Sequence, residues 1–326
     1  AGATILSAVD TDIHTINAST MTGTLTMTGR TSTAINTITG GTEADTLIMR
    51  NSGDIMDGTS NTSASATDAD TLDINFAAVL GGIEVNLANT GDQVTTFNGS
   101  ANAASQTNFT SVDVSGYTGS FGAQITANAL GSTVTGTLNA DVVTLGAAAD
   151  VVEINDSTAD TINSFTLGTD ALHISISALE AVGDTGIDAA AVDFNEIHDA
   201  NASAAGDTIT VTELVSGADT AVGDAANMFV LLTDTFATTA LVETAIEDAG
   251  THEMVITANT VADNDAFFIV YSDGTNAYLA AVHATAAQNT VAFETGETTV
   301  VNVATLAGVT SIAAGDILAS NFEFIA

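Results

Sequence analysis

Short alternating stretches of apolar and polar residues, separated by glycine, asparagine and aspartate, fill the first half of the chain. Thr24-Leu25-Thr26-Met27-Thr28 and Asp45-Thr46-Leu47-Ile48-Met49 are examples. A period of two places successive side chains on opposite faces of a strand, and the small polar residues between the stretches favour turns. The pattern predicts a mainly β protein built from many short strands, each burying one face.

One segment of the chain repeats at a fixed distance. Residues 14–25 are similar to residues 110–121, an offset of 96. The register continues further, because Ile38-Thr39-Gly40 and Ala44-Asp45 match Val134-Thr135-Gly136 and Ala140-Asp141. A match without gaps over some thirty residues indicates a duplicated unit. Stacked short strands of this kind predict an N-terminal parallel β-helix or β-roll over residues 1–174.

The pattern changes in the second half, which we predict to be a separate β-rich domain over residues 175–326 with one or two short helices. Residues 175–205 are rich in Ala, Asp and Glu with weak helical spacing. An apolar stripe within residues 235–250 predicts a helix, and Ser272-Asp273-Gly274-Thr275-Asn276 predicts the loop of a hairpin between residues 266–271 and 277–282. Further strands are predicted at Thr208–Leu214, Met228–Leu232 and Met254–Thr257.

Charge and composition exclude several classes of function. The 326 residues include 40 acidic and two basic residues, which gives a net charge of −38. Nucleic-acid binding is excluded because no basic surface can form. No apolar run is long enough to span a membrane, so we expect no membrane insertion. The chain has no Cys, so neither a disulfide nor a thiolate site can form.

Aspartates recur at the corners of the predicted strands and are candidate calcium ligands. Asp141, Asp150 and Asp160 are spaced nine and ten residues apart, and each precedes apolar residues. Residues 40–47, Gly-Gly-Thr-Glu-Ala-Asp-Thr-Leu, fit the calcium-binding nonapeptide G-G-x-G-x-D-x-U-x except at Glu43. Carboxylate and turn carbonyl oxygens suit Ca²⁺, and glycines permit left-handed turns. Ala-Asp-Thr is equally a favourable junction between a turn and a strand, so both interpretations stay open.

Acidic clusters in other turns extend the set of candidates. Asp68, Asp70 and the turns at 54–58 and 263–265 bring oxygen side chains together, although solvated loops also have this composition. Divalent ions would offset the self-repulsion of the chain, as would high ambient salt. The predicted metal ligands are Asp45, Asp54, Asp57, Asp70, Asp141, Asp150, Asp160, Asp170, Asp263 and Asp265, and Asp207 belongs to the same recurrence.

These motifs resemble those of RTX-type proteins, in particular the degenerate relatives that build bacterial surface layers. Residues 16–26 are similar to the "DAS-x-x-TG-x-LT" segments of that family, and residues 40–47 follow as its "GGTGxDTL" segment. Residues 161–172 resemble the segment that closes an RTX roll, with Ser164 where the family has Asp. The C-terminal residues 315–326 are similar to the "LxAxDFxF" ends of type I-secreted members.

The resemblance implies a secreted, calcium-binding protein exported by a type I secretion machinery through an uncleaved C-terminal signal. It also implies self-assembly into a surface layer or extracellular filament, and this is the function we predict. The alternative is a calcium-dependent adhesin or matrix module that binds a surface glycan without forming a lattice. A third interpretation is a secreted enzyme whose catalytic domain lies outside this sequence. Neither the five His nor the carboxylates form a recognisable catalytic motif, so we predict no enzymatic activity.

Overall fold

The structure, a computed structural model, describes residues 4–6, 13–28, 36–59, 69–179, 209–222, 228–232, 234–256, 266–285 and 292–325. The chain is mainly β, as predicted, and many of its strand pairs are parallel. It divides into two compact units, residues 1–153 and 154–326. Asp207, Asp263 and Asp265 lie outside the described residues, as do Asp68 and most of the 175–205 segment.

The first unit consists of short strands of two to four residues. In chain order they are β1 (Thr4–Leu6), β2 (Thr15–Asn17), β3 (Leu25–Thr28), β4 (Thr37–Thr39), β5 (Thr46–Met49), β6 (Ile55–Asp57), β7 (Thr71–Ile74), β8 (Phe76–Ala77), β9 (Ile83–Asn86), β10 (Val94–Phe97), β11 (Ser100–Ala101), β12 (Gln106–Thr107), β13 (Ser111–Asp113), β14 (Tyr117–Thr118), β15 (Ala123–Thr126), β16 (Thr133–Thr135), β17 (Val142–Thr144) and β18 (Val151–Ile154).

The two larger parallel sheets of the first unit have only parallel neighbours, and a third sheet is mixed. One has the order β1-β3-β5-β7-β13-β16-β18, a second has the order β12-β6-β4-β2, and in a third β9, β15 and β17 are parallel while β10 and β11 are antiparallel. Their registers align apolar residues across the strands. In the first sheet this buried row is Met27, Leu47, Leu72, Val112, Val134 and Val152. The alternation read from the sequence therefore places one face of these six strands in the core.

The 96-residue offset also relates the structure of the two segments. Ile16 pairs with Ile38 between β2 and β4, and Val112 pairs with Val134 between β13 and β16. Each residue of the second pair lies 96 positions after its counterpart in the first pair. The similar sequences thus form parallel strand pairs of the same register, although the two pairs belong to different sheets.

The described residues of the second unit form longer strands and two short α-helices. Its elements are β19 (Asp160–Asn163), β20 (Ala171–Ser175), α1 (Ile176–Leu179), β21 (Val211–Val215), β22 (Thr220–Val222), β23 (Met228–Leu232), α2 (Thr239–Ile246), β24 (Met254–Ile256), β25 (Ala266–Ser272), β26 (Asn276–Ala284), β27 (Thr298–Ala307), a 3₁₀ helix (Ala319–Asn321) and β28 (Phe322–Ile325). The order β19-β27-β26-β25-β23-β21 forms its main sheet, and β20 pairs in parallel with β28.

The predicted hairpin and helix are both present in the second unit. β25 and β26 are antiparallel around Gly274, whose φ of 87° lies in the left-handed region that glycine adopts readily. Helix α2 buries Val242, Ala245 and Ile246 in a core that also contains Phe229 and Phe267. Among the described residues, no helix is long and apolar enough to cross a membrane.

Candidate functional site: buried aspartates at the strand starts

Seven of the predicted metal ligands occupy the same place relative to a strand. Six of them directly precede a strand, and Asp160 is the first residue of one. Each of the seven is at most 3% exposed. They are Asp45 before β5, Asp54 before β6, Asp70 before β7, Asp141 before β17, Asp150 before β18, Asp160 in β19 and Asp170 before β20. An ionised carboxylate so deeply buried needs compensating partners.

Backbone N–H groups of the same turn supply one set of partners. Oδ2 of Asp150 accepts a hydrogen bond from the N–H of Gly146 at 2.7 Å, four residues earlier. Thr137 donates in the same way to Asp141, and Thr166 donates to Asp170. The N–H of Gly41 makes the equivalent bond to Oδ2 of Asp45. A single local geometry therefore recurs in turns of different sequence.

The other carboxylate oxygen reaches the neighbouring parallel strand. Oδ1 of Asp150 accepts from the N–H of Ser132 at 2.7 Å, 18 residues earlier and directly before β16. Asp45 accepts from Leu25, 20 residues earlier, and Asp70 accepts from Asp45, 25 residues earlier. Asp141 accepts from Ala123, 18 residues earlier. We call this two-sided arrangement the aspartate clamp, because one carboxylate joins its own turn to the start of the neighbouring parallel strand. It is shown in full at Asp45, Asp141 and Asp150.

Asp54 forms a more elaborate version of the aspartate clamp. Its Oδ2 accepts from the N–H groups of Arg50 and Asn51, and its Oδ1 accepts from the side-chain amides of Asn36 and Asn51. Asn36 lies 18 residues earlier, directly before β4. Several donors directed at one carboxylate stabilise its ionised form in the protein interior.

Two glycines of the motif leave space for the clamp. A Cβ atom at Gly40 would lie 2.6 Å from Oδ2 of Asp45, and one at Gly136 would overlap with Oδ2 of Asp141. The sequence suggested left-handed turns as the reason for glycine, but Gly40 and Gly136 have no positive φ. The close approach of the carboxylate is the physical reason for glycine at these positions.

Burial and hydrogen bonding act in opposite directions on the pKa of Asp141. Burial raises the pKa of Asp141 above its ordinary value of 3.8, while hydrogen bonds from Ala123 and Thr137 lower it. The net direction is upward, so desolvation is the larger of the two effects.

The clamp geometry bears on which residues could hold calcium. Where the clamp is complete, each oxygen already faces an N–H donor, whose positive end occupies part of the space a cation would need. Asp57, at the end of β6, accepts instead from the N–H of Thr59 and the side chain of Asn108. Within the described part of the chain, no three His, Asp or Glu side chains come together as a metal site. Calcium binding at these residues stays a prediction.

The structure also pairs two acidic residues that the sequence pattern does not single out. Asp73 in β7 and Asp113 in β13 are register partners in neighbouring parallel strands. Burial raises the pKa of Asp73 to about 6, and repulsion from Asp113 adds to the increase while Arg50 opposes it. A sequence analysis misses this pair because only the strand register brings the two residues side by side.

The second unit uses a buried glutamate and a partly exposed ion pair to join its elements. Glu247, directly after α2, is 3% exposed and accepts from the backbone N–H groups of Gly296 and Thr298. Nε2 of His173 lies 3.2 Å from a carboxylate oxygen of Glu323, its register partner across β20 and β28. These contacts are structural attachments between helix, strand and terminus.

A comparison with protein-family models and with curated proteins finds no match to this chain. The resemblance to RTX-type proteins therefore depends on the motifs quoted above.

Proposed function

We propose that this chain is a secreted structural protein that self-assembles into a surface layer or an extracellular filament. The observation that carries the proposal is the aspartate clamp, which uses buried carboxylates to fasten one strand to the next. In this proposal the parallel strands of the first unit wind as a degenerate β-helix of the RTX type. The spacing of 18 to 25 residues across the clamps is consistent with one such turn of the chain.

A repeated internal attachment suits a protein whose task is mechanical. A hydrogen bond to a charged acceptor is about twice as strong as one between neutral groups. The chain has no Cys, so covalent cross-links of the disulfide type cannot contribute to its rigidity. Charge-assisted bonds between strands supply that rigidity through the core, and the outer surfaces stay available for contacts between copies.

Calcium and one-step export belong to the same proposal. A chain of net charge −38 gains stability from any cation that binds the folded state and not the unfolded chain. Where calcium is scarce, inside the cell, the chain stays loosely folded and passes through a type I secretion machinery. Outside, calcium lowers the repulsion among carboxylates, and folding and assembly follow together.

Electron microscopy of the purified chain tests the proposal directly. Samples in millimolar calcium, in magnesium at equal ionic strength, and in calcium followed by EGTA are compared after negative staining. Ordered sheets or filaments that require calcium support both the structural role and the calcium mechanism. Assemblies that form equally in magnesium or survive EGTA support the structural role and contradict a specific role for calcium. Dispersed monomers in all three samples contradict self-assembly and favour the adhesin.

A further inference from the structure

Three turns that precede neighbouring strands of the first unit carry exposed large apolar side chains, among them the three most exposed of its described residues. Val79 is 72% exposed, Leu80 is 74% exposed and Leu138 is 58% exposed, and Phe121 lies between them at 36%. These residues belong to the turns 78–82, 119–122 and 137–140, which precede β9, β15 and β17 of one sheet. We call these three turns the apolar turn stack.

Direct contacts hold the three turns against one another. The side-chain amide of Asn139 donates to the carbonyl oxygens of Gly119 at 3.0 Å and Phe121 at 3.4 Å. The backbones at Gly82 and Gly122 come so close that a Cβ at Gly82 would lie 2.5 Å from the carbonyl oxygen of Gly122. The exposed side chains are therefore presented by neighbouring turns in fixed positions.

Hydrogen bonds also fix the backbone of the turn 78–82 in the apolar turn stack. Oδ1 of Asn98 accepts from the N–H groups of Val79 and Leu80 at 3.0 and 2.9 Å. The hydroxyl of Tyr117 donates to the carbonyl oxygen of Gly81 at 2.8 Å and accepts from the N–H of Asn98. Apolar side chains on a rigid backbone lose little conformational entropy when a partner covers them.

The same turns are free of charge in a strongly acidic chain. Residues 74–83 contain no charged residue, and neither do residues 114–140. Elsewhere the chain carries 40 acidic residues against two basic ones. Two copies of such a chain repel each other through most of their surfaces, and they repel least where neither presents a charge.

We infer that the apolar turn stack is a contact surface for a second copy of this chain, an inference that rests on the proposed function. A basic partner would be attracted to the acidic surfaces instead, and an anionic lipid surface would repel the chain as a whole. A like-charged copy is the partner that fits an uncharged apolar surface. Packing of the same stack on both copies would bury Leu80 and Leu138 without placing any carboxylate in the contact.

Sedimentation velocity in calcium tests this surface with the double variant Leu80→Asp/Leu138→Asp. The control is Leu130→Asp, a comparable change at a leucine that is 43% exposed in a different turn. We expect the double variant to associate about 100-fold more weakly than the parent or worse, because each apolar contact is replaced by a desolvated, repelling charge. We expect Leu130→Asp to associate like the parent, and circular dichroism to be the same for all three chains.

The outcomes separate the surface from the proposed function. Assembly of the double variant equal to that of the parent would contradict the contact surface and leave the proposed function intact. Equal weakening by Leu130→Asp would also contradict it, since any added charge would then have the same effect. A parent that stays monomeric would overturn the proposed function itself. Flotation of that monomer with neutral phosphatidylcholine vesicles, lost in the double variant, would assign the stack to lipid instead of to a second copy.

Discussion

Each aspartate of a complete clamp, at Asp45, Asp141 and Asp150, interacts with two parts of the chain at once, and this limits which side chains can replace it. The carboxylate offers two oxygens, one for an N–H of its own turn and one for an N–H of the neighbouring strand. An asparagine of the same shape offers one oxygen and one amide group. The amide group would face an N–H donor, and two donors cannot satisfy each other.

Asp150→Asn tests the clamp at a single residue. We expect it to lower the free energy of unfolding by about 2 kcal/mol, because one buried N–H loses its acceptor. The control is Glu84→Gln, which removes the same charge from an exposed side chain of β9 and keeps an oxygen for the Thr96 hydroxyl. Urea denaturation of the parent and both variants provides the comparison. Equal stability of all three chains would show that the clamp contributes nothing measurable.

Asp73 is a residue whose charge opposes folding, and its effect depends on pH. Its pKa is about 6 in the folded chain, above the ordinary 3.8, so the folded state binds the proton more tightly. The penalty is complete above about pH 6 and disappears as the pH falls below about 4. We expect Asp73→Asn to be more stable than the parent by about 1 kcal/mol at pH 8, after allowing for solvent screening at this half-buried position.

Thermal unfolding of the parent and Asp73→Asn at pH 8 and at pH 4 measures that difference. The gain should be present at pH 8 and nearly absent at pH 4, where the parent carries a neutral Asp73. Asp113→Asn should give part of the same gain, because it removes the charge that repels Asp73. A gain that is the same at both pH values would contradict this account of the pair.

The sequence predicted the positions of the clamp aspartates better than it predicted their hydrogen-bond partners. The nonapeptide match identified Asp45, the spacing and the following apolar residues identified Asp141 and Asp150, and all three precede a strand. Their partners could not be predicted, since the second N–H donor lies 18 to 20 residues away and is set by the strand register. Asp263 and Asp265 lie outside the described residues, and calcium binding by any member of the set stays a prediction.

The strand and turn patterns predicted the individual elements well, because their signals are local. Met228–Leu232 is a strand with the predicted bounds, and the Asp273-Gly274 loop connects the predicted hairpin. The pairing of strands could not be predicted in the same way. The duplicated segments form pairs of equal register but lie in different sheets, a distribution that depends on contacts distant in sequence.

In the clamp of Asp45, the carboxylate approaches residue 40 so closely that only a residue without a Cβ fits there. Gly40→Ala would place Cβ 2.6 Å from Oδ2 of Asp45, the oxygen that accepts from the N–H of Gly41, while Oδ1 of the same carboxylate is held by the N–H of Leu25. We expect a loss of about 1–3 kcal/mol in the free energy of unfolding, as for other overpacked sites. The control is Gly91→Ala, where the nearest atom lies at 3.6 Å and φ is not positive.

Chemical denaturation of both glycine variants decides whether space is the limiting factor. The control should keep the stability of the parent or exceed it slightly, because alanine lowers the entropy of the unfolded chain. If Gly40→Ala and Gly91→Ala behave alike, the close approach at Asp45 is not what requires glycine at residue 40.

At the scale of the molecule, the acidic residues are distributed unevenly between the interior and the surface. Several of the 40 acidic residues are buried at strand starts with N–H partners, while the apolar turn stack carries none. The net charge of −38 is therefore a poor guide to the contacts that any one part of the surface can make. The net charge predicts that nucleic acid is not a partner, and in our proposal the uncharged turns favour contact with a like-charged copy.

The aspartate clamp also determines where the chain tolerates insertions. At the complete clamps of Asp45 and Asp150 the bond within the turn spans four residues, while the bond to the neighbouring strand spans 20 and 18 residues. The corresponding bond of Asp70 to the neighbouring strand spans 25 residues. The hydrogen bond between two clamped strands therefore does not depend on the number of residues that connect them. A peptide inserted between Gly58 and Asp70, within the longest of these spans, would leave the complete clamps at Asp45, Asp141 and Asp150 with their donors. A fold of this kind tolerates inserted peptides between its clamped strands while the core stays unchanged.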